Sequence, residues 1–342
     1  MADQPTTSPF DRQLARLAVG GYDDAQETRT AMMNRVRDII RKRNEGIPFD
    51  VVEDEKDDGD RNYDDQYADD ELPDLIEEMR EEGTLTDREH AYLVDMLEAA
   101  TIAERLEEQY RGVMEIVREE PIYQRFLQHV YGISTTLTAR LLHQFGYNEE
   151  RERVSQLWAY AGLAPGQSRT RGEKLGYNPD AKTLAWLCAD RIIMQGSNSE
   201  YKQHFYDPYK ETQMTRLNRD EDDDCIVCGD TNQMTAGTAA NAGITSEDPD
   251  DEAVPDVCLS CYNRKQENGE GIPSAPSSRG HADTRARRYL AKKFLKHYWA
   301  VSRDLAGYDT PAEWVVTHGG HDESTDTFEN PFYAQRKLVG PE

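Results

Sequence analysis

Four of the five cysteines in the sequence fall into two Cys-x-x-Cys pairs, Cys225 with Cys228 and Cys258 with Cys261. Each such turn lets two thiolates reach one metal ion, and two turns complete the tetrahedral four-sulfur site of a structural zinc ion. A redox dithiol needs only one pair, so it would leave the second unexplained. About 29 residues separate the pairs, which is longer than the ~15–20 residues common between the two pairs of a zinc site. These residues are polar and rich in glycine, a composition that suits a long loop. The sequence therefore predicts a closed zinc site and leaves Cys188 as a buried core residue.

The charge balance is strongly acidic. The 342 residues include 66 acidic and 40 basic side chains, which give a net charge of −26. This balance indicates a surface adapted to a high-salt cytoplasm, with an acidic tail or a nucleic-acid-mimicking surface as the alternative. At molar salt the screening length falls to about 3 Å, so only close charge contacts contribute to binding. Overall acidity thus does not exclude a nucleic-acid partner where a local basic surface exists.

The sequence has no segment typical of a membrane protein. No apolar run approaches the ~18 residues of a membrane span, and the first residues lack the layout of a signal peptide. In a reducing compartment the cysteines would also not form a disulfide framework. We expect a cytoplasmic protein that does not bind membranes.

Apolar residues recur at helical spacing along most of the chain, which predicts a mainly α fold. The predicted organisation is an N-terminal amphipathic helical region at 1–49, an acidic disordered linker at 50–74, a long coiled-coil-like helix at 75–120, the first block of a helix-hairpin-helix domain at 121–218, a zinc-binding insertion at 219–280, a basic helix that completes the domain at 281–306, and a C-terminal tail at 307–342. The linker is dense in Asp and Glu and has too few apolar residues to offset the entropy of ordering.

Two of these segments carry specific helical patterns. In the first, one stripe is formed by Met32, Met33, Val36, Ile39 and Ile40. In the third, Thr86 and Glu89 form a capping box, after which apolar residues recur at alternating spacings of four and three, and Pro121 marks the end. The recurring residues are Met96, Ala100, Ala103, Leu106, Tyr110, Val113 and Val117. This spacing is typical of a coiled-coil seam and predicts a homodimer, with packing inside one chain as the open alternative.

The segment from Arg279 to Arg303 reverses the sign of the surrounding charge, because Asp283 is its only acid. On a helix, one face would carry Arg285, Arg288, Lys292 and Lys296, while Leu290, Phe294, Tyr298 and Val301 point into a core. Such a stripe can neutralise a nucleic-acid backbone, and the alternative is a solvated face paired with carboxylates. A second basic cluster, formed by Arg169, Arg171 and Lys174 in a polar loop, favours nucleic acid.

The stretch GISTTLTARLLHQFG at 132–146 is typical of a glycine turn that enters a helix. The free N–H groups at such a helix start attract phosphate oxygens without reading sequence. This predicts backbone contacts at Gly132, Ser134 and Thr135. A structural corner is the alternative, since the usual second glycine is here Ser134.

Together, the segment Val130 to Gln195 and the basic helix resemble the C-terminal transposase domain of the bridge-RNA-guided insertion-sequence family one-ten, with its relatives one-sixteen and nine-oh-two. The resemblance lies in the hairpin, in QLWAYAGLAPGQSRTRG at 156–172, in NPDAKTLAWLCADRII at 178–193 and in RARRYLAKKFLKHYW at 285–299. It implies DNA as partner in transposition or recombination, and raises a guide-type RNA as a second partner. The cysteine segment would be an insertion between the two blocks.

The resemblance also implies a serine nucleophile in the loop after GLAP, where this chain offers Ser168 and, nearby, Thr170. Such a nucleophile acts on DNA held by Mg²⁺, so Mg²⁺ is expected only if the chain is catalytically active. The family's RNase-H-like domain with its metal-binding acids has no counterpart here. We therefore expect a DNA-binding protein of transposase type, with two alternatives: an active serine-dependent recombinase, or a zinc-stabilised protein-interaction module.

Overall fold

The computed structural model of the chain describes residues 12–46, 67–164, 174–217, 225, 257–267, 276, 278–308 and 310. Within these residues the structure is helical and contains no β-strand, which confirms the mainly α fold class. The described residues up to Glu120 form one compact unit, and those from Pro121 onward form a second.

The first unit contains three helices, α1 (Arg12–Asn44), α2 (Leu72–Glu81) and α3 (Asp87–Met114), followed by a 3-10 turn at Glu115–Glu119. Helices α1 and α3 are antiparallel. Near one end Arg43 forms an ion pair with Glu89. Further along, Arg29 Nε donates to Oε1 of Glu107 at 2.6 Å. Glu107 is only 4% exposed, so this ion pair satisfies a carboxylate that burial would otherwise penalise.

The predicted apolar stripe of α1 is confirmed. Its residues Met33, Val36, Ile39 and Ile40 are buried and Met32 is partly buried. They share one core with Leu72, Ile76 and Met79 of α2 and with Leu93, Met96 and Ala100 of α3. The helix begins much earlier than the stripe, at Arg12.

This shared core corrects the predicted boundary at 50–74, because the segments on its two sides belong to one unit. The last part of that segment is also folded and does not behave as a disordered linker. Arg37 pairs with Asp69 and donates to the carbonyl oxygen of Tyr67 at 3.2 Å, and α2 starts at Leu72. Local composition does not indicate this order, because Arg37, which neutralises Asp69, lies about 30 residues away in the sequence. Residues 51–66 lie outside the described part of the chain.

The predicted capping box of α3 is confirmed. Glu89 N donates to Thr86 Oγ1 at 3.3 Å, and Thr86 N donates to Oε2 of Glu89 at 2.9 Å. The predicted end at Pro121 is wrong. Helix α3 ends at Met114, and Pro121 opens the next helix, where a residue without an N–H costs nothing.

Most of the predicted coiled-coil seam is buried by the chain itself. Met96, Ala100, Ala103 and Val117 are at most 6% exposed, whereas Leu106 is 41% exposed. Met96 and Ala100 pack in the core formed with α1. Packing inside one chain, the alternative to a dimer seam, therefore accounts for the buried members of this stripe.

The second unit contains α4 (Pro121–Arg125), α5 (Thr135–Phe145), α6 (Val154–Tyr160), α7 (Pro179–Met194), α8 (Asp207–Leu217), α9 (Leu259–Glu267) and α10 (Arg279–Leu305). A 3-10 turn at Leu127–His129 precedes α5, and a π-helical turn at Lys202–Tyr206 leads into α8. Pro208, which has no N–H to donate to the preceding turn, explains the loosened π-helical geometry.

Helix α10 forms the centre of this unit and packs against α4, α6, α7 and α8. Its predicted core face is confirmed, since Leu290, Phe294, Tyr298 and Val301 are at most 1% exposed. The prediction for Cys188 is confirmed too: its side chain on α7 is fully buried, and this burial raises the pKa of the thiol well above its usual range.

The C-terminal half of α10 holds the connection between α5 and α6. The Tyr298 hydroxyl donates to the carbonyl oxygen of Gly146 at 2.8 Å, and Trp299 Nε1 donates to the carbonyl oxygen of Arg151 at 2.8 Å. Arg303 Nη1 donates to the carbonyl oxygens of Asn148 and Arg151 at 3.0 and 3.1 Å. These bonds satisfy backbone carbonyls of the loop, in which Gly146 and Asn148 are buried, and fix α5 relative to α10.

Gly20 and Gly21 form a matched pair inside α1. A Cβ at Gly20 meets no heavy atom within 4 Å, whereas a Cβ at Gly21 would lie 2.2 Å from Cζ of Tyr110. Alanine is favoured over glycine by about 1 kcal/mol in a helix interior. We expect Gly20→Ala to raise the free energy of unfolding and Gly21→Ala to lower it, because the Tyr110 ring must move. Denaturant unfolding followed by circular dichroism measures both, and equal stability of the two variants would contradict the packing of α1 on α3.

Candidate nucleic-acid interface and metal centre

The glycine turn before α5 is fixed against α7. Gly132 has a φ of +97°, and a Cβ there would lie 2.4 Å from the carbonyl oxygen of Arg191. Both the left-handed backbone and the close approach therefore require glycine. Ser134 caps the helix, because its Oγ accepts a hydrogen bond from Leu137 N at 3.2 Å. Of the predicted contact residues, Ser134 is exposed and Thr135 is buried, so of these two side chains solvent reaches Ser134.

The AYAGLAP stretch joins α5, α6 and α7. The hydroxyl oxygen of Tyr160 accepts hydrogen bonds from Gln144 Nε2 at 2.8 Å and from Asn178 Nδ2 at 3.0 Å. Asn178 N also donates to the carbonyl oxygen of Tyr160 at 2.9 Å. Gly162 turns the chain at a φ of +65°, and a Cβ there would lie 2.8 Å from the ring of Tyr177. The two ends of the polar loop that follows are thereby anchored to the helices.

Arg288 of α10 holds the first of these loop ends. Its Nη2 donates to the carbonyl oxygens of Leu163 and Ala164 at 3.2 and 2.9 Å. Lys174, at the other end of the loop, is exposed. The sequence predicts that Arg288 contacts phosphate. No local sequence pattern indicates its two carbonyl partners, which lie more than 120 residues away. Ser168, Arg169, Thr170 and Arg171 lie outside the described residues.

The other predicted cations of α10 are half-buried and lie against neighbouring side chains. Lys292 Nζ lies 4.3 Å from the centroid of the Trp158 ring, and Trp158 Nε1 donates to the Lys292 carbonyl oxygen at 3.1 Å. Arg285 Nη1 donates to Gln213 Oε1 at 3.2 Å. Lys296 is also half-buried. Salt screens ion pairs between exposed groups. Cation–π contacts such as that of Lys292 with Trp158 supply a further means of holding a cationic group in place.

Asp283 lies at the centre of a polar cluster that links α8 and α10. Lys210 Nζ donates to its Oδ1 at 2.6 Å, Arg287 Nε donates to its Oδ2 at 2.5 Å, and Tyr206 donates to Oδ1. Partial burial alone would raise the pKa of Asp283, but the hydrogen bonds from these three groups outweigh burial and lower the pKa to about 2. The cluster is thus an ion-pair network that joins Lys210 of α8 to Asp283 and Arg287 of α10.

Three of the predicted metal ligands are brought together. The sulfur atoms of Cys225, Cys258 and Cys261 all lie within 4.8 Å of one another and are buried, and these cysteines form no disulfide. A tetrahedral site with metal–sulfur bonds of about 2.3 Å places its sulfurs about 3.8 Å apart, which agrees with this cluster. Arg264 Nη2 donates to Cys261 Sγ at 3.6 Å. Cys228 lies outside the described residues.

No protein-family model, curated protein or solved structure matches the chain. In the described part of the chain, every helix is too short or too polar to cross a membrane.

Replacing Asp283 tests the ion-pair network. Because its pKa is lowered from 3.8 to about 2, the ionised group stabilises the fold fully above about pH 4, and this contribution is lost as the pH falls through about 2. We expect Asp283→Asn to destabilise the protein at neutral pH by at most about 2 kcal/mol. The difference from wild type should shrink toward low pH in thermal unfolding measurements. Asp304→Asn, an exposed acid on the same helix, is the matched control, and a pH-independent effect of Asp283→Asn would contradict the network.

Proposed function

We propose that the second unit binds the phosphate backbone of nucleic acid and that the chain is a DNA-binding protein of transposase type, related to the insertion-sequence family one-ten. The observation that carries the proposal is the placement of Arg288. Its hydrogen bonds to Leu163 and Ala164 join the basic helix α10 to the start of the loop that contains Arg169 and Arg171. The basic helix is therefore joined to the chain a few residues before Arg169 and Arg171 in the sequence, in a protein of net charge −26.

Local charge supports this proposal. Helix α10 contains eight Lys and Arg residues but only Asp283 and Asp304 as acids. Asp283 is already engaged by Lys210 and Arg287. A positive surface on an acidic protein attracts a polyanion at close range, while the rest of the surface repels it and restricts binding to that place.

The start of α5 supplies a second contact in the proposed mode. Ser134 is exposed at the N-terminus of an 11-residue helix, where the helix dipole favours a phosphate oxygen. The turn at Gly132 is held by α7, so this helix end is positioned in advance of binding. Contacts of this kind position a nucleic acid without reading its sequence. In this proposal the unit is a helix-hairpin-helix domain.

For the cysteine cluster we propose a structural zinc ion held by Cys225, Cys228, Cys258 and Cys261. The buried sulfurs of three of these residues meet the distance requirement, and Cys228 is three residues from Cys225, the spacing of a two-thiolate turn. Four protein ligands leave no open coordination position, so the ion would have a structural role. It would stabilise the cysteine-containing segment between α8 and α10.

Zinc content tests the metal proposal. We expect about one zinc ion per chain in the isolated protein by elemental mass spectrometry, as four-cysteine sites bind one ion. Cys261→Ser and Cys228→Ser should both lose most of it and lower the midpoint of thermal unfolding. Cys188→Ser, which changes a buried cysteine away from the cluster, should retain the ion. Zinc at the wild-type level in Cys261→Ser would contradict the site.

Salt dependence tests nucleic-acid binding and separates the roles of two cations. The logarithm of the affinity for duplex DNA should fall linearly with the logarithm of salt concentration in fluorescence anisotropy titrations. We expect Lys296→Gln to weaken binding and to reduce the slope by about 1, since one phosphate contact is lost. Arg288→Gln should weaken binding with the slope nearly unchanged, because its guanidinium positions the loop.

Arg80→Gln is the control, since it removes the same charge from the first unit and should leave both affinity and slope unchanged. Absence of binding at low salt, or an affinity that does not depend on salt, would contradict the proposed function.

A further inference from the structure

The outward face of α3 and of the 3-10 turn that follows it exposes a row of apolar side chains. Ile102, Tyr92, Leu106 and Ile116 are 52%, 47%, 41% and 37% exposed, and Ala99 and Val113 between them are half-buried. We call these six residues the outer stripe. Of the ten exposed large apolar side chains in the described part of the chain, five lie between Tyr92 and Ile116. Such a concentration marks an interaction surface, because single exposed apolar residues are normally scattered.

The outer stripe is distinct from the buried stripe that packs on α1. Each of its members lies one position before a residue that is at most 4% exposed. Those buried residues are Leu93, Ala100, Ala103, Glu107, Met114 and Val117. Positions 92, 99, 106 and 113 repeat every seven residues, and 102 and 116 follow three residues after a member of that series. This is the seam pattern of a coiled coil. Helix α3 therefore has two neighbouring seams, and α1 occupies only one.

We propose that a second copy of this chain covers the outer stripe, with the two α3 helices antiparallel about a two-fold axis near residue 104. The stripe is self-complementary in that arrangement. Ile102 of one copy lies opposite Leu106 of the other, Tyr92 lies opposite Ile116, and Ala99 lies opposite Gln109. Each contact occurs twice, as a two-fold interface requires.

Charge favours this orientation over the parallel one. Glu98 and Arg105 are both exposed, seven residues apart along one border of the stripe. In the antiparallel pair Glu98 of one copy lies about 7.5 Å along the axis from Arg105 of the other, within reach of that long side chain, in two equivalent places. Asp95 lies on the seam in both arrangements. The antiparallel pair places it opposite Val113, whereas a parallel pair in register places it opposite its own counterpart, where like charges are unfavourable.

The contact is long enough to support a stable dimer. From Tyr92 to Val113 helix α3 extends about 32 Å at 1.5 Å per residue. Because α1 already lies against the neighbouring seam of α3, the pair would form a four-helix bundle from two antiparallel hairpins. This inference concerns the first unit and does not depend on the proposed nucleic-acid binding of the second.

The mass in solution tests the pairing. Native mass spectrometry and light scattering should give about twice the chain mass of 39.1 kDa. Ile102→Glu and Leu106→Glu should each give a monomer with unchanged helical circular dichroism, because both side chains are exposed in the single chain. Met194→Glu is the matched control: Met194 is an apolar side chain, 70% exposed and in the second unit, and this variant should remain a dimer. A monomeric wild type, or a dimer that persists in Ile102→Glu and Leu106→Glu, would overturn the proposal.

A charge exchange tests the orientation. At moderate salt, Glu98→Arg should weaken the dimer by placing like charges together, and the double variant Glu98→Arg with Arg105→Glu should restore it. Cysteines introduced at Ile102 in one preparation and at Leu106 in another should cross-link to each other when the two are mixed, and peptide mass mapping identifies the bond. Failure of the double variant to recover, or cross-linking of the Ile102→Cys chain mainly to itself, would overturn the antiparallel arrangement.

Discussion

The second unit depends on hydrogen bonds from α10 to backbone carbonyls of segments that precede it by more than 100 residues. Arg288 binds the carbonyls of Leu163 and Ala164, and Tyr298 binds that of Gly146. The carbonyl of Gly146 lies at the C-cap of α5, and those of Leu163 and Ala164 lie in the turn after α6, so none of them has a partner within a helix. Helix α10 therefore satisfies the end of α5 and the turn after α6, and the loop that follows begins at a fixed place.

The same helix concentrates positive charge in a chain that is otherwise acidic. Its cationic side chains contact neighbouring residues: Lys292 lies over the Trp158 ring, and Arg285 donates a hydrogen bond to Gln213. An aromatic face and a neutral acceptor thus help to hold these two cationic side chains in place. This arrangement would suit a high-salt solution, in which exposed ion pairs contribute little and only close contacts matter.

Much of the local structure could be predicted from the sequence. The apolar stripes of α1 and α10, the capping box at Thr86 and the burial of Cys188 follow from spacing and residue type within a few turns. The packing of α1 on α3 could not, because the seam spacing of α3 fits a partner from the same chain as well as one from a second chain. The order around Asp69 and the carbonyl partners of Arg288 arise from contacts between distant residues, and no local pattern encodes them. For the candidate site, the basic residues and the cysteines could be identified from the sequence. The packing role of Gly132 and the positioning role of Arg288 could be seen only in the folded structure.

We propose that nucleic acid binds at α10, at the end of AYAGLAP and at the start of α5. Hydrogen–deuterium exchange of the full chain, measured with and without duplex DNA, tests this proposal directly. We expect slower exchange in the peptides around Ser134, Ala164, Lys174 and Lys292, with α1 to α3 unchanged. Slower exchange confined to the first unit, or no change at a DNA concentration that saturates binding, would contradict it.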